Sequence, residues 1–397
     1  MKIAHIVRRF SFAEWGGTES VVWNIAKQQK LQGLTPEILC TSALDKVGVE
    51  NIDGITIRRF PYFYPYFPMP EDDKLALDKK GGNPFSPQLM KCLKNGSYDV
   101  FHIHAGARLA NCVMKLGKKL GTPCIMSLHG GSCAIPEQEM ALMLKPLKNK
   151  FSYGGIIDRI CKIRCVPESK ADMLLALSKE EVAKLQARFH GKKVELFPNG
   201  ILHRELPEAG SFREKYGIAG EKKIILCISR IDYQKNQKIL LEIIKNHPDT
   251  HLLLIGPVTA QWYFEELQSE AQKANVFDRV TVIPGLPPDS IELLQALKSA
   301  YCFILPSRHE PFGIAALEAL DAEVPLIASA VGGLRDFLVD GENALLFEDN
   351  DAAALLEAYG KLDAVKAQLV EGGRVTADSY NWQTIAARLT AIYRGLL

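Results

Sequence analysis

The stretch SRHEPFGIAALEAL, Ser307 to Leu320, holds two carboxylates, Glu310 and Glu318, eight residues apart. It follows an apolar run, Tyr301–Leu305, that reads as a buried strand, and a helix is expected to open beside Gly313. The N–H groups of Phe312, Gly313 and Ile314 then lack partners inside the helix and can receive an anion. Eight residues make about two turns, so Glu318 is expected on roughly the same side as the helix start. Two acids beside an anion site make sense if they accept from hydroxyls, which describes a ligand that is part phosphate and part sugar. The plainer alternative is one carboxylate stabilising a helix dipole and one surface acid.

Three more loops carry candidate chemistry, and each follows the carboxyl end of a predicted strand, where open α/β sheets bind ligands. In SRIDYQKN, Arg230 and Lys235 can grip a diphosphate, Arg through its fork and Lys as a point charge. An exposed charged loop is the competing explanation. In EWGGTES, Gly16 and Gly17 allow a ligand close to the backbone, and a helix is expected from Thr18. The GxGxxG dinucleotide fingerprint is absent, and a GG turn alone is an ordinary loop. His129, in SLHGG, follows the predicted strand Pro123–Leu128; a lone histidine is usually structural, and the strand-end position brings the functional reading level with that one.

These loops need a scaffold, and the chain alternates short β-rich runs with helical patterns from end to end. In the first half, strands are expected at Lys2–Val7, Pro36–Cys40, Ile55–Phe60, Val100–His104, Pro123–Leu128, Asp172–Leu177 and Val194–Phe197. In the second half they are expected at Lys223–Ser229, His251–Ile255, Val280–Ile283, Cys302–Leu305, Leu326–Ala328 and Ala344–Phe347. That order predicts parallel sheets covered on both faces, in two doubly wound units joined near Asn199–Glu208. A last helix, Trp382–Leu397, follows the completed second sheet. Two segments break the alternation. Phe60–Pro70 reads FPYFYPYFPMP, whose prolines forbid a regular helix or central strand. Its aromatics can meet sugar or lipid, or fold back as an insertion loop. Lys145–Arg164 carries six basic residues against Asp158, either a helical patch for an anionic membrane or a solvated face.

Composition bounds the class. A chain of 397 residues suits two domains, with 47% hydrophobic and 24% charged residues as in ordinary globular proteins. A formal net charge of +2 supplies no reason to expect a nucleic-acid partner. Cys40, Cys124, Cys227 and Cys302 sit in apolar runs, where a free thiol is a small buried hydrophobe, so a reducing compartment is expected. Cys161 and Cys165 lack a second pair at zinc spacing and read as structural. Without a signal peptide or a run of about 20 apolar residues, the expected location is cytoplasmic, at most peripheral on the inner face of a membrane.

Together these positions resemble the retaining, nucleotide-sugar-dependent glycosyltransferases of group 1, the family 4-like enzymes of GT-B fold. The similarity spans nearly the whole chain. Its most specific part is Glu310 to Glu318, similar to the family's E-x7-E in its EPFG…LEAL form. SRID…K, VGG at Val331–Gly333, GG-x-E at Gly16–Glu19 and PNG at Pro198–Gly200 support it in order. The resemblance implies an α/β GT-B architecture, two Rossmann-like doubly wound domains facing a central cleft. Residues 1–203, with a crossover helix over 380–397, would bind the acceptor, and residues 204–379 the donor. Glu310 would contact donor-sugar hydroxyls, Glu318 the ribose, and Arg230 and Lys235 the departing diphosphate. Gly16 and Gly17 would close on the phosphates, His129 would touch the donor sugar, and Leu286 marks where backbone meets base.

The resemblance further implies retaining transfer of a hexose-type sugar from a UDP- or GDP-linked donor to a glycan, lipid-linked or small-molecule acceptor. Cell-surface polysaccharide or glycoconjugate synthesis is the implied setting. No cofactor and no metal are implied. Some positions depart from the family pattern. Ile201, Leu202 and His203 supply no Asp to the linker, Glu323 stands where Gly is common, and so does Ala344. Other readings remain: a GT-B sugar-nucleotide epimerase or phosphorylase, or a non-catalytic nucleotide-sugar-binding protein.

Overall fold

The computed structural model describes residues 1–13, 16–129, 144–163, 166–287, 290–348 and 350–397. Glu14 and Trp15 of the first glycine loop, Gly130 and Gly131 after His129, and Arg164 and Cys165 lie outside the described residues. The chain divides into two units: Met1–Pro198 with Trp382–Leu397, and Asn199–Asn381. Asn199–His203 therefore belong to the second unit, where the sequence reading placed them in the first. Ile201 N–H donates to the Tyr380 carbonyl at 2.8 Å, and His203 Nδ1 lies 2.8 Å from Asp321 Oδ1.

The first unit is built on an eight-stranded sheet. Its strands are β1 (Lys2–Arg9), β2 (Thr35–Thr41), β3 (Gly48–Ile52), β4 (Ile55–Phe60), β6 (Val100–Ile103), β7 (Cys124–Ser127), β9 (Met173–Ala176) and β10 (Val194–Leu196). They run in the order β10-β9-β7-β6-β1-β2-β4-β3. All pairings are parallel except β3 with β4, an exposed edge strand that the sequence reading did not anticipate. Gly48–Ile52 is exposed because nothing among the described residues covers this hairpin at the rim, so it lacks the apolar run of a two-sided core strand. Two short strands, β5 (Tyr66–Phe67) and β8 (Phe151–Ser152), pair antiparallel apart from it. The proline-rich segment thus supplies a two-residue strand, and the basic segment is a strand and short helices, where one helical patch was expected.

The second unit has a six-stranded, wholly parallel sheet of β11 (Lys223–Ile228), β12 (Thr250–Ile255), β13 (Val280–Ile283), β14 (Cys302–Leu305), β15 (Leu326–Ser329) and β16 (Leu345–Phe347). The order is β13-β12-β11-β14-β15-β16. Strands β11, β12 and β14 read as near-continuous apolar runs because helices cover both faces. Ile225, Leu252, Leu254, Ile304 and Ile327 form one core with Tyr263 and Leu362. Each such fully buried aliphatic side chain contributes about 1.5–3 kcal/mol.

Both sheets reverse their strand order at one place, β1/β6 in the first and β11/β14 in the second. Loops leaving adjacent strands diverge there and open a crevice. The glycine loop leaves β1, SRIDYQKN leaves β11, and SRHEPFG leaves β14. Topology, not propensity, places Gly16 and Gly17 at the first crevice and Arg230, Lys235 and Glu310 at the second, while His129 and Leu286 follow β7 and β13, away from the reversal.

Candidate functional site

In the second unit the SRID loop is a closed hydrogen-bonded turn. Asp232, buried, accepts from the Lys235 backbone N–H at 3.2 Å and from the Thr259 hydroxyl at 3.0 Å. Its carboxylate also lies 3.0 Å from Arg230 Nη1, while Arg230 Nη2 reaches Gln234 Oε1 at 3.3 Å. Gln237 Nε2 donates to the Ser229 hydroxyl and the Arg230 carbonyl. Gly256, with φ of 152°, lets β12 end close to this turn, since a Cβ there would fall 2.0 Å from the Ser229 carbonyl. Asp232 received no role from the sequence, although it lies inside the motif. It holds the loop shut and aims Arg230, whose side chain remains 39% exposed.

The two loops then meet. Lys235 Nζ lies 2.5 Å from Glu310 Oε2, and the Ser307 hydroxyl is 3.4 Å from the same oxygen. Arg308 N–H donates to the Gln234 carbonyl at 2.8 Å, tying the loop after β14 to the loop after β11. The VGG motif supplies the third wall. Gly333 N–H donates to the Glu310 carbonyl at 2.9 Å, and a Cβ on Gly332 would fall 2.2 Å from that oxygen. A Cβ on Gly333 would fall 2.3 Å from the Pro311 carbonyl. The glycines are thus required by the close approach of the backbone that presents Glu310.

Gly313 adopts φ of 101° and ψ of 53°, a conformation open to glycine, and Ile314–Asp321 is the helix after it. Its first turn carries no acidic residue to compete for an anion. The expectation of two helical turns between the glutamates is corrected: Glu310 precedes the left-handed residue, so Glu318 lies little more than one turn inside the helix. The two acids have different partners. Glu318 Oε1 lies 2.8 Å from Arg204 Nη2, a neighbour the sequence did not reveal. The Phe312 ring is buried against Phe337 and Tyr380, so only its backbone can face a ligand. Ile314 and Leu286 are half-buried; Leu286 follows Gly285, whose φ is 134°, beyond β13. His309 Nε2 is buried without a hydrogen-bond partner among the described residues, another group that sequence reasoning passed over.

In the first unit, Gly16 is extended and precedes the helix Gly17–Leu31, which starts one residue before the expected Thr18. A Cβ on Gly16 would fall 2.8 Å from Glu19 Oε2, whereas Gly17 faces open space. Glu19 is buried beside Arg9 at 3.4 Å, and burial raises its pKa against the pull of that guanidinium. Glu19 therefore acts on the loop from within.

His129 lies two residues beyond β7, which stops at Ser127 where the strand was expected to reach Leu128, and its Nε2 lies 3.0 Å from His104 Nδ1. His104 Nε2 lies 3.1 Å from His5 Nδ1, and His5 Nε2 lies 2.8 Å from Gln29 Oε1. His5 on β1 and His102 on β6 are register partners, and His104 follows two residues after His102, so all three rings share one sheet face. His102 bridges Tyr393 OH at 2.6 Å and Ser127 Oγ at 2.7 Å. Burial lowers the pKa of His5 and of His129 to about 4, and that of His102 and His104 well below the ordinary value. The rings are neutral at pH 7.

His5, His102 and His104 each offer one nitrogen within 4.8 Å of the others, the only such group among the described residues. All six of their ring nitrogens already have hydrogen-bond partners, so a cation would have to displace those bonds. Cys40 and Cys124 are buried free thiols pushed up to about 12, inert packing groups as expected.

Residues 209–362 match the model of "Glycosyl transferases group 1", and residues 15–203 match "Glycosyltransferase Family 4". The chain is 28% identical over 239 residues to the D-inositol 3-phosphate glycosyltransferase of Xylanimonas cellulosilytica, covering 56% of this chain and 57% of that protein. It is 23% identical over 402 residues to that of Acidothermus cellulolyticus, covering 96% and 86%. The structure of Anabaena HepE in complex with UDP and glucose superimposes with a TM-score of 0.72 at 16% identity, covering all of both chains. Two family models that between them take in most of the chain, and two Rossmann-like sheets of matching fold, lead to one conclusion: the chain belongs to the group 1 glycosyltransferases, enzymes of GT-B fold.

Proposed function

We propose that the protein is a retaining hexosyltransferase that takes its sugar from a UDP- or GDP-linked donor and needs no metal. The observation that carries this reading is the meeting of Lys235 and Glu310, with Arg230 aimed from the same loop and a helix N-terminus beyond Gly313. Charge builds on the diphosphate as the bond to the sugar breaks. Fixed cations and helical N–H groups stabilise it without reorganising at that moment. Glu310 accepts from donor-sugar hydroxyls and orients Lys235, and Glu318 with Arg204 holds the ribose. Gly16 and Gly17 serve the phosphates, Leu286 the base and His129 the sugar. Glu310 is no nucleophile here; the leaving phosphate takes the acceptor's proton from the face where the new bond forms.

The acceptor is a glycan, lipid-linked or small molecule, and the enzyme works at a cytoplasmic membrane face. No helix among the described residues is long and apolar enough to cross a membrane. Support for surface contact comes from the first unit. Phe67 and Phe151, 70% and 67% exposed, are cross-strand partners, and Ile156 and Ile160 are exposed nearby in sequence with Lys145, Lys148, Arg159 and Lys162. Lys150 is spent on Asp73 at 2.7 Å and takes no part.

A thermal-shift screen of UDP-, GDP- and ADP-sugars tests the donor, because a ligand that binds the native state raises its melting temperature. Product anomers by NMR, with EDTA present, then test retention and metal independence. An inverted anomer, or activity lost to EDTA and restored by a divalent cation, would overturn the respective half.

A further inference from the structure

Seven side chains in the first unit form one unbroken hydrogen-bonded chain: His129, His104, His5, Gln29, Tyr393, His102 and Ser127. Gln29 and Tyr393 are fully buried, as are His5 and His102. A neutral imidazole has one donor and one acceptor nitrogen, so each ring passes the direction of its bond to the next. The run His129–His104–His5–Gln29 therefore has only two self-consistent senses, and reversing one of its bonds reverses all of them.

The amide of Gln29 selects between them. Its Nε2–H donates to the Tyr393 oxygen at 3.3 Å, and the Tyr393 O–H then points to His102 Nδ1 at 2.6 Å, with His102 Nε2–H donating to Ser127. Gln29 Oε1 can only accept and lies 2.8 Å from His5 Nε2. His5 Nε2–H donates to that oxygen, His104 Nε2–H donates to His5 Nδ1, and His129 Nε2–H donates to His104 Nδ1. His129 Nδ1 is left with its lone pair, and among the described residues nothing occupies it.

We infer that Gln29, oriented by Tyr393 of the C-terminal helix, sets the tautomer of His129 through His5 and His104, so that His129 Nδ1 is a hydrogen-bond acceptor. The inference rests on the proposed role of His129 at the donor sugar and deepens it. An acceptor nitrogen recognises a hydroxyl hydrogen and has no proton for a phosphate or carboxylate oxygen. The group that His129 reads is accordingly a sugar hydroxyl. Gln29 and Tyr393 are positioning residues, since they act only through other side chains.

The test is 15N NMR of the full chain with labelled histidine, which distinguishes Nδ1–H from Nε2–H rings and needs no substrate. His5, His104 and His129 should all be Nε2–H tautomers. Any one of the three in the opposite tautomer, doubly protonated, or carrying a metal in the purified protein overturns the relay. In Gln29→Met, isosteric but without the amide, His129 should become a mixture of tautomers. Transfer should fall about tenfold, the worth of roughly one hydrogen bond, and the melting temperature should drop by a few degrees, because His5 and Tyr393 each lose a buried partner. A His129 signal unchanged by the substitution overturns the inference, and the wild-type spectrum decides it if the variant does not fold. His129→Ala assayed for transfer tests the underlying reading separately: wild-type turnover there would remove His129 from the sugar site without touching the tautomer result.

Discussion

Lys235 and Glu310, 75 residues apart in sequence, place an ammonium nitrogen 2.5 Å from a carboxylate oxygen where the loops after β11 and β14 meet. Adjacent strands at the point where sheet order reverses make that meeting unavoidable. The pair gives each group its orientation: the carboxylate steers the ammonium, and the ammonium holds the carboxylate in place.

Replacing either partner should therefore disable transfer more than folding. Lys235→Ala and Glu310→Gln should each lower kcat by about 10²–10³-fold, the usual worth of one preorganised electrostatic group. Circular dichroism should remain native. Turnover within a few-fold of wild type in either variant would remove the pair from the chemistry.

Glu318 and Arg204 should behave differently, because they are proposed to bind rather than to react. Glu318→Gln and Arg204→Met should each raise donor KM about tenfold with kcat little changed, the loss of one charge-assisted hydrogen bond. A fall in kcat at constant KM would place them at the transition state instead.

Glu323 adopts φ of 56° just past the helix Ile314–Asp321, at a position where left-handed backbone favours glycine. A left-handed non-glycine residue costs about 1–2 kcal/mol, and glycine returns part of that gain through its extra unfolded-state freedom. Glu323→Gly should thus stabilise the second unit by about 0.5–1 kcal/mol, read as a higher urea midpoint at unchanged slope. An unmoved midpoint would mean the residue sits there without strain.

The histidine core should make stability fall in mild acid. His5 is lowered by burial from 6.5 to about 4, with the Gln29 hydrogen bond opposing. Between those values the unfolded chain binds the proton and the native state does not, so stability declines as pH falls from about 6.5 toward 4. For His5 the loss at pH 5 is on the order of 2 kcal/mol. Urea titrations at pH 7 and pH 5 should show it, and His5→Gln should flatten the difference. Equal midpoints in the wild type would contradict neutral buried rings.

Phe67 and Phe151 should matter only at a surface. Phe67→Ser with Phe151→Ser should reduce cosedimentation with anionic vesicles several-fold, since each exposed ring offers about 1.5–3 kcal/mol of burial. Turnover on a water-soluble acceptor should be unaffected. Unchanged vesicle binding would return this patch to the status of an exposed loop.

The local determinants were legible in the sequence. Apolar runs bounded by turn residues announced thirteen of the sheet strands, because burial on both faces demands them. Loops at strand ends drew attention to Arg230, Lys235, Glu310 and His129 by residue type alone. The exposed edge strand Gly48–Ile52 and the helix Glu71–Lys79 escaped notice, having no apolar run or clear periodicity to mark them.

Partnership was decided only in the tertiary structure. Arg204 lies 114 residues from Glu318, and Tyr393 lies 364 from Gln29. No local pattern encodes such pairs, because hydrogen-bond partners are set by strand order and register. Four histidines scattered over 125 positions read as isolated residues until β1, β6 and β7 are laid side by side. Sequence determined which groups stand at the strand ends. The sheet determined which of them touch, and so which proton each one carries.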